Sequence, residues 1–185
     1  MKRSMPAMRG TTVLGLVHGG RAAIACDGQV TAGETIVKQT ARKIRVLGGG
    51  RVLAGFAGGA ADALTLFERF EKSLEGHRGN LTRAAVEVAR LWRTDRMLRH
   101  LHAQLIVLDA ERGFALSGSG DLIEPDDGIL AIGSGAGYAL AATRALIRHT
   151  DLAAEKVVEE ALKTAAEICI YTGGTIQVES LPAEA

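Results

Sequence analysis

Residues near the start of the chain could together perform acyl-transfer chemistry: Thr11, Asp27 and Lys43. If cleavage after Gly10 exposed Thr11, one residue would hold both a hydroxyl nucleophile and a base, because a free α-amino group has a pKa near ~8. A nearby lysine ammonium would favour the alkoxide, and an aspartate would keep that lysine charged and oriented. Threonine, aspartate and lysine are common residues, so their types alone leave a chance arrangement open.

Two glycine-rich stretches are the other candidates for chemistry, at residues 55–59 and 133–137. The second follows a predicted strand and opens a predicted helix, as a phosphate-binding loop would. Neither has the spacing of a dinucleotide or Walker A loop. We therefore interpret both as tight strand-to-helix turns, in which backbone N–H groups could also line an oxyanion hole.

The histidines and cysteines give little support to other chemistries. No H-E-x-x-H sequence occurs, and Cys26 and Cys169 have neither zinc spacing nor a C-x-x-C arrangement. We expect both cysteines to be core residues.

The composition excludes several classes of protein. A length of 185 residues predicts one domain, and a net charge of +1 argues against a strongly basic nucleic-acid binder. Apolar runs are too short to cross a membrane, and two widely separated cysteines are typical of a reduced protein. We expect a cytoplasmic protein with no nucleic acid or membrane partner.

The hydrophobic pattern predicts strands, two helices, strands, two helices and a last strand. The first strands are predicted at 12–17, 22–26, 36–37, 44–47 and 52–57, with a hairpin turn at 18–21. The first helix pair is predicted at 60–74 and from an Asn80 cap to about 101. Further strands are predicted at 104–109, 114–117, 122–123, 129–132 and 175–179, with helices at 135–148 and from a Thr150 or Asp151 cap to about 171. This segregated order predicts an α+β domain in which two stacked sheets lie between two helix layers.

The first ten residues differ from the rest, since they carry Lys2, Arg3 and Arg9 and no acidic residue. They lack the apolar segment of a secretory signal. A frayed terminus and a removable pro-segment both remain open at this point.

Six blocks of sequence carry a resemblance to a known family. They are TTV at 11–13, ACDGQVT at 25–31, AGFAGGAADA at 54–63, LWRTDRMLR at 91–99, AIGSG at 131–135 and ICIYT at 168–172. In this order they resemble the HslV (ClpQ) family, the proteasome-like threonine peptidases of bacteria. The resemblance covers residues 11 to about 179.

The resemblance implies an N-terminal-nucleophile (Ntn) hydrolase αββα sandwich, with residues 1–10 removed as a pro-segment and a single peptidase domain at 11–185. It implies that Thr11 is the nucleophile and that its freed amine is the base. Lys43 would tune this chemistry with Asp27 as its partner. Gly55 N–H would form the oxyanion hole, and Ser134 would help to position the amine.

The resemblance also implies ligands and partners. A sodium ion would be bound by backbone oxygens of Ala166, Cys169 and Thr172, and no organic cofactor is expected. Two hexameric rings would stack, and a separate ring ATPase, HslU (ClpY), would unfold protein substrates and feed them in. The chain departs from the family pattern at Cys26, where glycine is usual, at Ala166, and at Gly173-Gly174-Thr175.

Three alternatives to a peptidase subunit remain open in the sequence. One is an Ntn amidohydrolase that acts on small amides, and another is a proteasome-like ring subunit without activity. The third, a nucleotide-binding module, lacks a lysine-bearing phosphate loop.

Overall fold

The computed structural model describes residues 8–9, 11–95 and 103–181. The elements follow the predicted order, with two short strands added near the start. The strands are β1 (Met8–Arg9), β2 (Thr12–His18), β3 (Arg21–Asp27), β4 (Val30–Ala32), β5 (Thr35–Lys38), β6 (Ile44–Leu47), β7 (Val52–Ala57), β8 (Gln104–Leu108), β9 (Gly113–Ser117), β10 (Leu122–Ile123), β11 (Ile129–Gly133) and β12 (Ile176–Leu181). The helices are α1 (Ala60–Gly76), α2 (Leu81–Thr94), α3 (Ala136–His149) and α4 (Ala154–Ile168).

Two antiparallel sheets form the centre of the described structure. One has four strands in the order β11-β2-β3-β12, and the other has five in the order β10-β9-β8-β7-β6. The predicted turn between β2 and β3 is confirmed: Gly19 and Gly20 have φ of 60° and 72°, which suits a two-residue hairpin. A third sheet has the order β1-β4-β5, and its strands all come from residues 8–38, the part of the sequence that also contains Thr11.

Three hydrophobic layers hold the sheets and helices together. Side chains such as Val13, Ile24 and Ile106 fill the space between the two large sheets. The pair α1 and α2 covers the five-stranded sheet, with Trp92 and Phe70 completely buried. The pair α3 and α4 covers the four-stranded sheet. The predicted four-layer αββα sandwich is therefore confirmed, because strand alternation gives each large sheet two apolar faces to bury.

Helix ends show where local signals succeed and where they fail. The predicted cap of α2 is confirmed, since Asn80 Oδ1 accepts a 2.9 Å hydrogen bond from Arg83 N–H. That helix ends at Thr94 with Asp95 in an extended conformation, so the prediction that it continues to 101 is wrong at its described end. Residues 96–102, through which the helix was predicted to continue, lie outside the described residues.

The predicted caps of α4 are wrong. The helix begins after Ala153, which makes no side-chain cap hydrogen bond. Thr150 instead closes α3, because both its N–H and its hydroxyl donate to Leu146 O, at 2.9 and 2.8 Å. At its other end α4 stops at Ile168, three residues before the predicted end. Among the described helices, none is long and apolar enough to cross a membrane.

Candidate active site

Thr11 lies at the entrance to β2, in the middle of the four-stranded sheet. It is buried, with 6% of its surface exposed, and its carbonyl accepts a 2.9 Å hydrogen bond from Ser134 N–H. Gly133 packs directly against the same carbonyl, has φ of 90°, and would collide with it if it carried a Cβ. The glycine-rich stretch after β11 is thus a tight turn, as predicted, and it holds the backbone of Thr11 in place.

Asp27 ends β3 beside this point and is fully buried. Its Oδ1 accepts hydrogen bonds from Thr12 N–H at 2.7 Å and from Lys43 Nζ at 3.0 Å. Its Oδ2 accepts from Gln29 N–H at 2.9 Å and Gly173 N–H at 3.0 Å. Four donors surround one carboxylate, so its negative charge is well compensated despite burial.

Lys43 lies just before β6 and is 7% exposed. Its Nζ reaches across to Asp27 and also donates to Gln29 O at 2.7 Å. Burial lowers the pKa of the Lys43 ammonium, while the charge and hydrogen bond of Asp27 oppose that decrease. The structure therefore joins Asp27 and Lys43 as a buried ion pair at the level of the Thr11–Thr12 backbone.

Thr12 fixes the other side of the β2 entrance. Its hydroxyl lies 2.7 Å from the hydroxyl of Thr172 and accepts a 2.8 Å hydrogen bond from Gly135 N–H. Both threonines are buried. Because Gly135 is the N-cap of α3 and Thr172 follows α4, both helices of this layer are tied to the residue after Thr11.

The position of Gly55 does not favour the oxyanion role that the resemblance assigned to it. A Cβ on Gly55 would lie 2.6 Å from the Val13 side chain. Gly133, which contacts the Thr11 carbonyl, instead lies beside Ala57, two residues further along β7. Phe56 N–H donates to Lys43 O on the β6 side, so strand alternation directs Gly55 N–H to β8, where Ile106 is its register partner. Gly55 thus packs between the two sheets, and its oxyanion role stays a prediction that this register does not support.

Gly58 offers another backbone N–H beyond the end of this strand. It follows β7, is exposed, and has φ of 146°. Its N–H lies two residues beyond that of Phe56, on the same edge of the strand and past the start of β6. It also directly precedes Gly59, the N-cap of α1, where backbone N–H groups favour a negative charge.

The three positions predicted to hold a cation surround the C-terminal end of α4. Ala166 lies in its last turn, Cys169 is its C-cap, and Thr172 N–H donates to Cys169 O at 2.9 Å. The carbonyl end of a helix carries partial negative charge, and a carbonyl oxygen has two lone pairs. In the described part of the chain, no cluster of three His, Cys, Asp or Glu side chains could hold a metal ion.

Ser134 and the cysteines complete the predicted set. Ser134 is exposed and contributes its backbone N–H to Thr11 O; its predicted role toward the amine stays a prediction. Cys26 and Cys169 are free and buried, as predicted. Burial raises the pKa of the Cys26 thiol to about 11, so this thiol is neutral at physiological pH.

Two further residues belong to the site and were missed as functional residues. Gln29 carries the carbonyl that holds Lys43, and Gly173 donates its N–H to Asp27. The only local signal was a polar side chain two positions after Asp27 in a buried stretch, which does not by itself reveal a partner 141 residues away.

A threonine at the entrance of a central strand, beside a buried lysine–aspartate pair in an αββα sandwich, defines the class of Ntn hydrolases. Comparison with known proteins narrows that class, since residues 7–181 match the proteasome subunit family. The ATP-dependent protease subunit HslV of Chlorobium luteolum is 57% identical over 176 residues, which cover 95% of this chain and 97% of that protein. The crystal structure of eukaryotic HslV from Trypanosoma brucei superimposes with a TM-score of 0.87 at 43% identity, covering 92% of this chain and 98% of the other. The chain belongs to the proteasome subunit family.

Proposed function

We propose that this chain is the peptidase subunit of an ATP-dependent protease, with Thr11 as its N-terminal nucleophile. Threonine peptidase activity is that of the family, and the relatives at 57% and 43% identity are HslV proteins. The observation that carries the residue assignment is the buried Lys43–Asp27 pair, with Nζ and Oδ1 3.0 Å apart, attached through Oδ1 to the Thr12 N–H beside Thr11.

Peptide cleavage would proceed through an ester on Thr11. The hydroxyl oxygen attacks the scissile carbonyl carbon while its proton passes to the free α-amine of Thr11, directly or through a water. The tetrahedral oxyanion would lie against Gly58 N–H. The C–N bond then breaks as the α-ammonium returns the proton to the leaving amine, and water hydrolyses the ester.

Lys43 acts on this chemistry by charge. Its ammonium stabilises the developing alkoxide, and Asp27 together with Gln29 O keeps the ammonium in place. A lysine whose pKa is lowered by burial loses its charge at a lower pH than an exposed lysine. Activity should therefore decline on the alkaline side below the ordinary lysine range.

Maturation would use the same hydroxyl. In the uncut chain the Thr11 nitrogen is an amide and cannot serve as a base, so a water must accept the proton. Attack of the Thr11 oxygen on the Gly10 carbonyl carbon breaks the Gly10–Thr11 C–N bond, as the water passes the proton on to the leaving Thr11 nitrogen. The product is an ester, whose hydrolysis releases residues 1–10. The freed domain is 11–185.

Substrate would bind as a strand on the edge of β4. Met8 pairs with Ala32 and Arg9 with Thr31, so residues preceding the Gly10–Thr11 bond already occupy this edge in antiparallel register. After their removal, the acyl side of a polypeptide can add to the same edge through its backbone. Recognition of backbone groups suits a protease that cleaves many unfolded sequences.

The proposals for the partner and the assembly rest on the similarity of this chain to known proteins. We propose two stacked hexameric rings that receive unfolded proteins from a HslU (ClpY) ring ATPase, since the curated relative is an ATP-dependent protease subunit. Two free thiols fit the reducing cytoplasm. Sedimentation would give the subunit number, and casein degradation with and without the ATPase and ATP would test the partnership.

A sodium ion would be held by the backbone oxygens of Ala166, Cys169 and Thr172. Oxygen ligands suit a hard cation, and the negative end of α4 favours one. Such an ion would keep the loop after α4 closed. Exchange of sodium for the same concentration of tetramethylammonium should lower the thermal midpoint if the site is occupied; an equal midpoint would argue against it.

Intact mass of the purified protein tests the proposed nucleophile. The wild-type chain should lose Met1–Gly10, and a Thr11→Ala chain should keep them. Full-length wild-type protein, in the presence of the ATPase as well as alone, would favour the inactive ring subunit instead. A processed chain that hydrolyses small amides but not peptides would favour an amidohydrolase.

A further inference from the structure

Gln29 connects two distant parts of the site through both its backbone and its side chain. It is 4% exposed. Its N–H donates to Asp27 Oδ2 at 2.9 Å, and its carbonyl accepts from Lys43 Nζ at 2.7 Å. Its side-chain Nε2 donates to Ile170 O at 3.0 Å, in the loop that follows α4.

The loop from Cys169 to Gly173 is itself attached to the reaction centre. Thr172 meets the Thr12 hydroxyl, and Gly173 N–H donates to Asp27 Oδ2. Gly173 also packs tightly on Gln29, since a Cβ at position 173 would lie 2.8 Å from Gln29 Cβ. The orientation of Gln29 is thus set by this loop and by Asp27 together.

We propose that Gln29 is a positioning residue for Lys43: the loop after α4 grips its side chain, and its carbonyl thereby holds the catalytic ammonium against Asp27. This inference rests on the proposed function of Lys43. It goes beyond that function because it makes the position of the Lys43 ammonium depend on a loop about 130 residues away in sequence. Displacement of the loop would act on the reaction through Gln29.

The charged and polar groups around Lys43 determine whether its pKa rises or falls when the Gln29 carbonyl moves away. The titratable groups that face it in the described structure are Asp27 and Cys26 on β3, and the Thr11 amine would join them after cleavage. Glu179 on β12 acts on Cys26. Asp27 favours the charged lysine by its charge and its hydrogen bond, and the Gln29 carbonyl accepts a further hydrogen bond from the ammonium. Withdrawal of the carbonyl should therefore lower the pKa of Lys43 further.

The test is Gln29→Met, which keeps the length of the side chain and removes the donor to Ile170 O. The pKa of Lys43 would be followed by the ¹³Cε shift in deuterated protein with labelled lysine, and Lys43→Arg would assign the signal. We expect a pKa below that of the wild-type chain and an equal displacement of the alkaline limb of kcat/KM to lower pH. We also expect kcat to fall about tenfold with KM nearly unchanged.

Matched substitutions separate positioning from general damage. Gly173→Ala presses on Gln29 and should reproduce the shift, whereas Gly174→Ala meets open space and should not. Gln39→Met, at an exposed glutamine, should leave both readouts unchanged. Gln29→Leu, which also removes the donor to Ile170 O, provides the test if Gln29→Met does not fold.

The possible outcomes distinguish the two proposals. An unchanged Lys43 pKa in both Gln29→Met and Gly173→Ala, with only a lower unfolding midpoint, would overturn the positioning role. A lowered Lys43 pKa in a protein that hydrolyses no peptide would support the positioning role and refute the proposed function. A lowered pKa with a shifted alkaline limb supports both.

Discussion

The hydroxyl groups of Thr12 and Thr172 lie 2.7 Å apart, although 160 positions separate the two residues. This contact closes the end of the sandwich at which Thr11 lies, because Gly135 N–H joins the same oxygen from the start of α3. Both hydroxyls are buried, so the loss of either one leaves the other with one hydrogen-bond partner fewer.

Replacement of Thr172 by Val should destabilise the fold through this contact. The methyl group fits the same space, but Thr12 loses one partner, which costs roughly 1–2 kcal/mol of unfolding free energy. Denaturant unfolding at a fixed subunit concentration measures the change. Thr35→Val, at an exposed position of β5, is the control and should cost less than about 0.5 kcal/mol. Equal effects of the two substitutions would show that the buried pair has no special role.

Asp27 and Lys43 should respond differently to loss of their partner. In Asp27→Asn, an amide replaces an oxygen that accepts two donors and leaves the Lys43 charge buried without its counterion. We expect a loss of about 3–5 kcal/mol in unfolding free energy. Lys43→Met leaves three N–H donors on Asp27, so the chain should fold, while peptide hydrolysis falls by ~100-fold or more.

Circular dichroism and peptide turnover check this pair of substitutions. Lys43→Arg provides a second comparison, because its charge persists at every accessible pH but its shape differs. A Lys43→Met chain with wild-type turnover would remove the lysine from the mechanism.

Much of the fold was predictable because its signals are local. Three such signals are the glycines at the turn between β2 and β3, the short continuous apolar runs of the central strands and Asn80 before α2. Each depends on a few neighbouring residues. Thr150 misled the prediction of α4 because the same residue type can close one helix or open the next, and here its hydroxyl binds Leu146 O. Strand β4 was missed because its three residues form a strand only with β1 and β5 beside them.

The candidate site was predictable only in part. The resemblance supplied Thr11, Asp27 and Lys43, and the structure joins the last two. It could not supply the depth of Gly55 in the sheet, which becomes evident once Val13 is seen opposite it. Gln29 is defined by contacts with Lys43, Ile170 and Gly173, and no short sequence window contains all four residues.

Gly133→Ala should prevent both maturation and peptide hydrolysis. A methyl group there would displace the Thr11 carbonyl, and φ of 90° is unfavourable for alanine. Intact mass should show a chain that keeps residues 1–10. Gly137→Ala is the matched control, because nothing lies within 4 Å of its added carbon and alanine favours helices. Normal processing in Gly133→Ala would show that the turn tolerates the shift.

The Cys26 thiol should not react with thiol reagents in the native protein. It should also lower the unfolding free energy of the protein at high pH. Its folded pKa of about 11 exceeds the value of 9.0 expected in the unfolded chain. The contribution of the protonated Cys26 thiol to the unfolding free energy is complete below pH 9. It declines as pH rises toward 11, because in this range the thiol loses its proton in the unfolded chain and keeps it in the folded one. Relative to Cys26→Ala, the unfolding free energy should therefore fall by roughly 2–3 kcal/mol across this range.

Thiol titration at pH 8 provides the direct check. In a Cys169→Ala background, Cys26 should react with a disulfide reagent only after denaturant is added. Rapid reaction in the native state would mean that the thiol is reachable and its pKa is not raised.

The short strand Met8–Arg9 has a consequence for the order of assembly. Before processing, it covers the outer edge of β4, an edge whose unpaired backbone groups could otherwise join the strands of other newly made chains. Removal of residues 1–10 would uncover that edge only in a subunit that is already folded around Thr11. A folding precursor would thus be protected from aggregation by the same backbone pairing that a mature subunit offers to its polypeptide substrate.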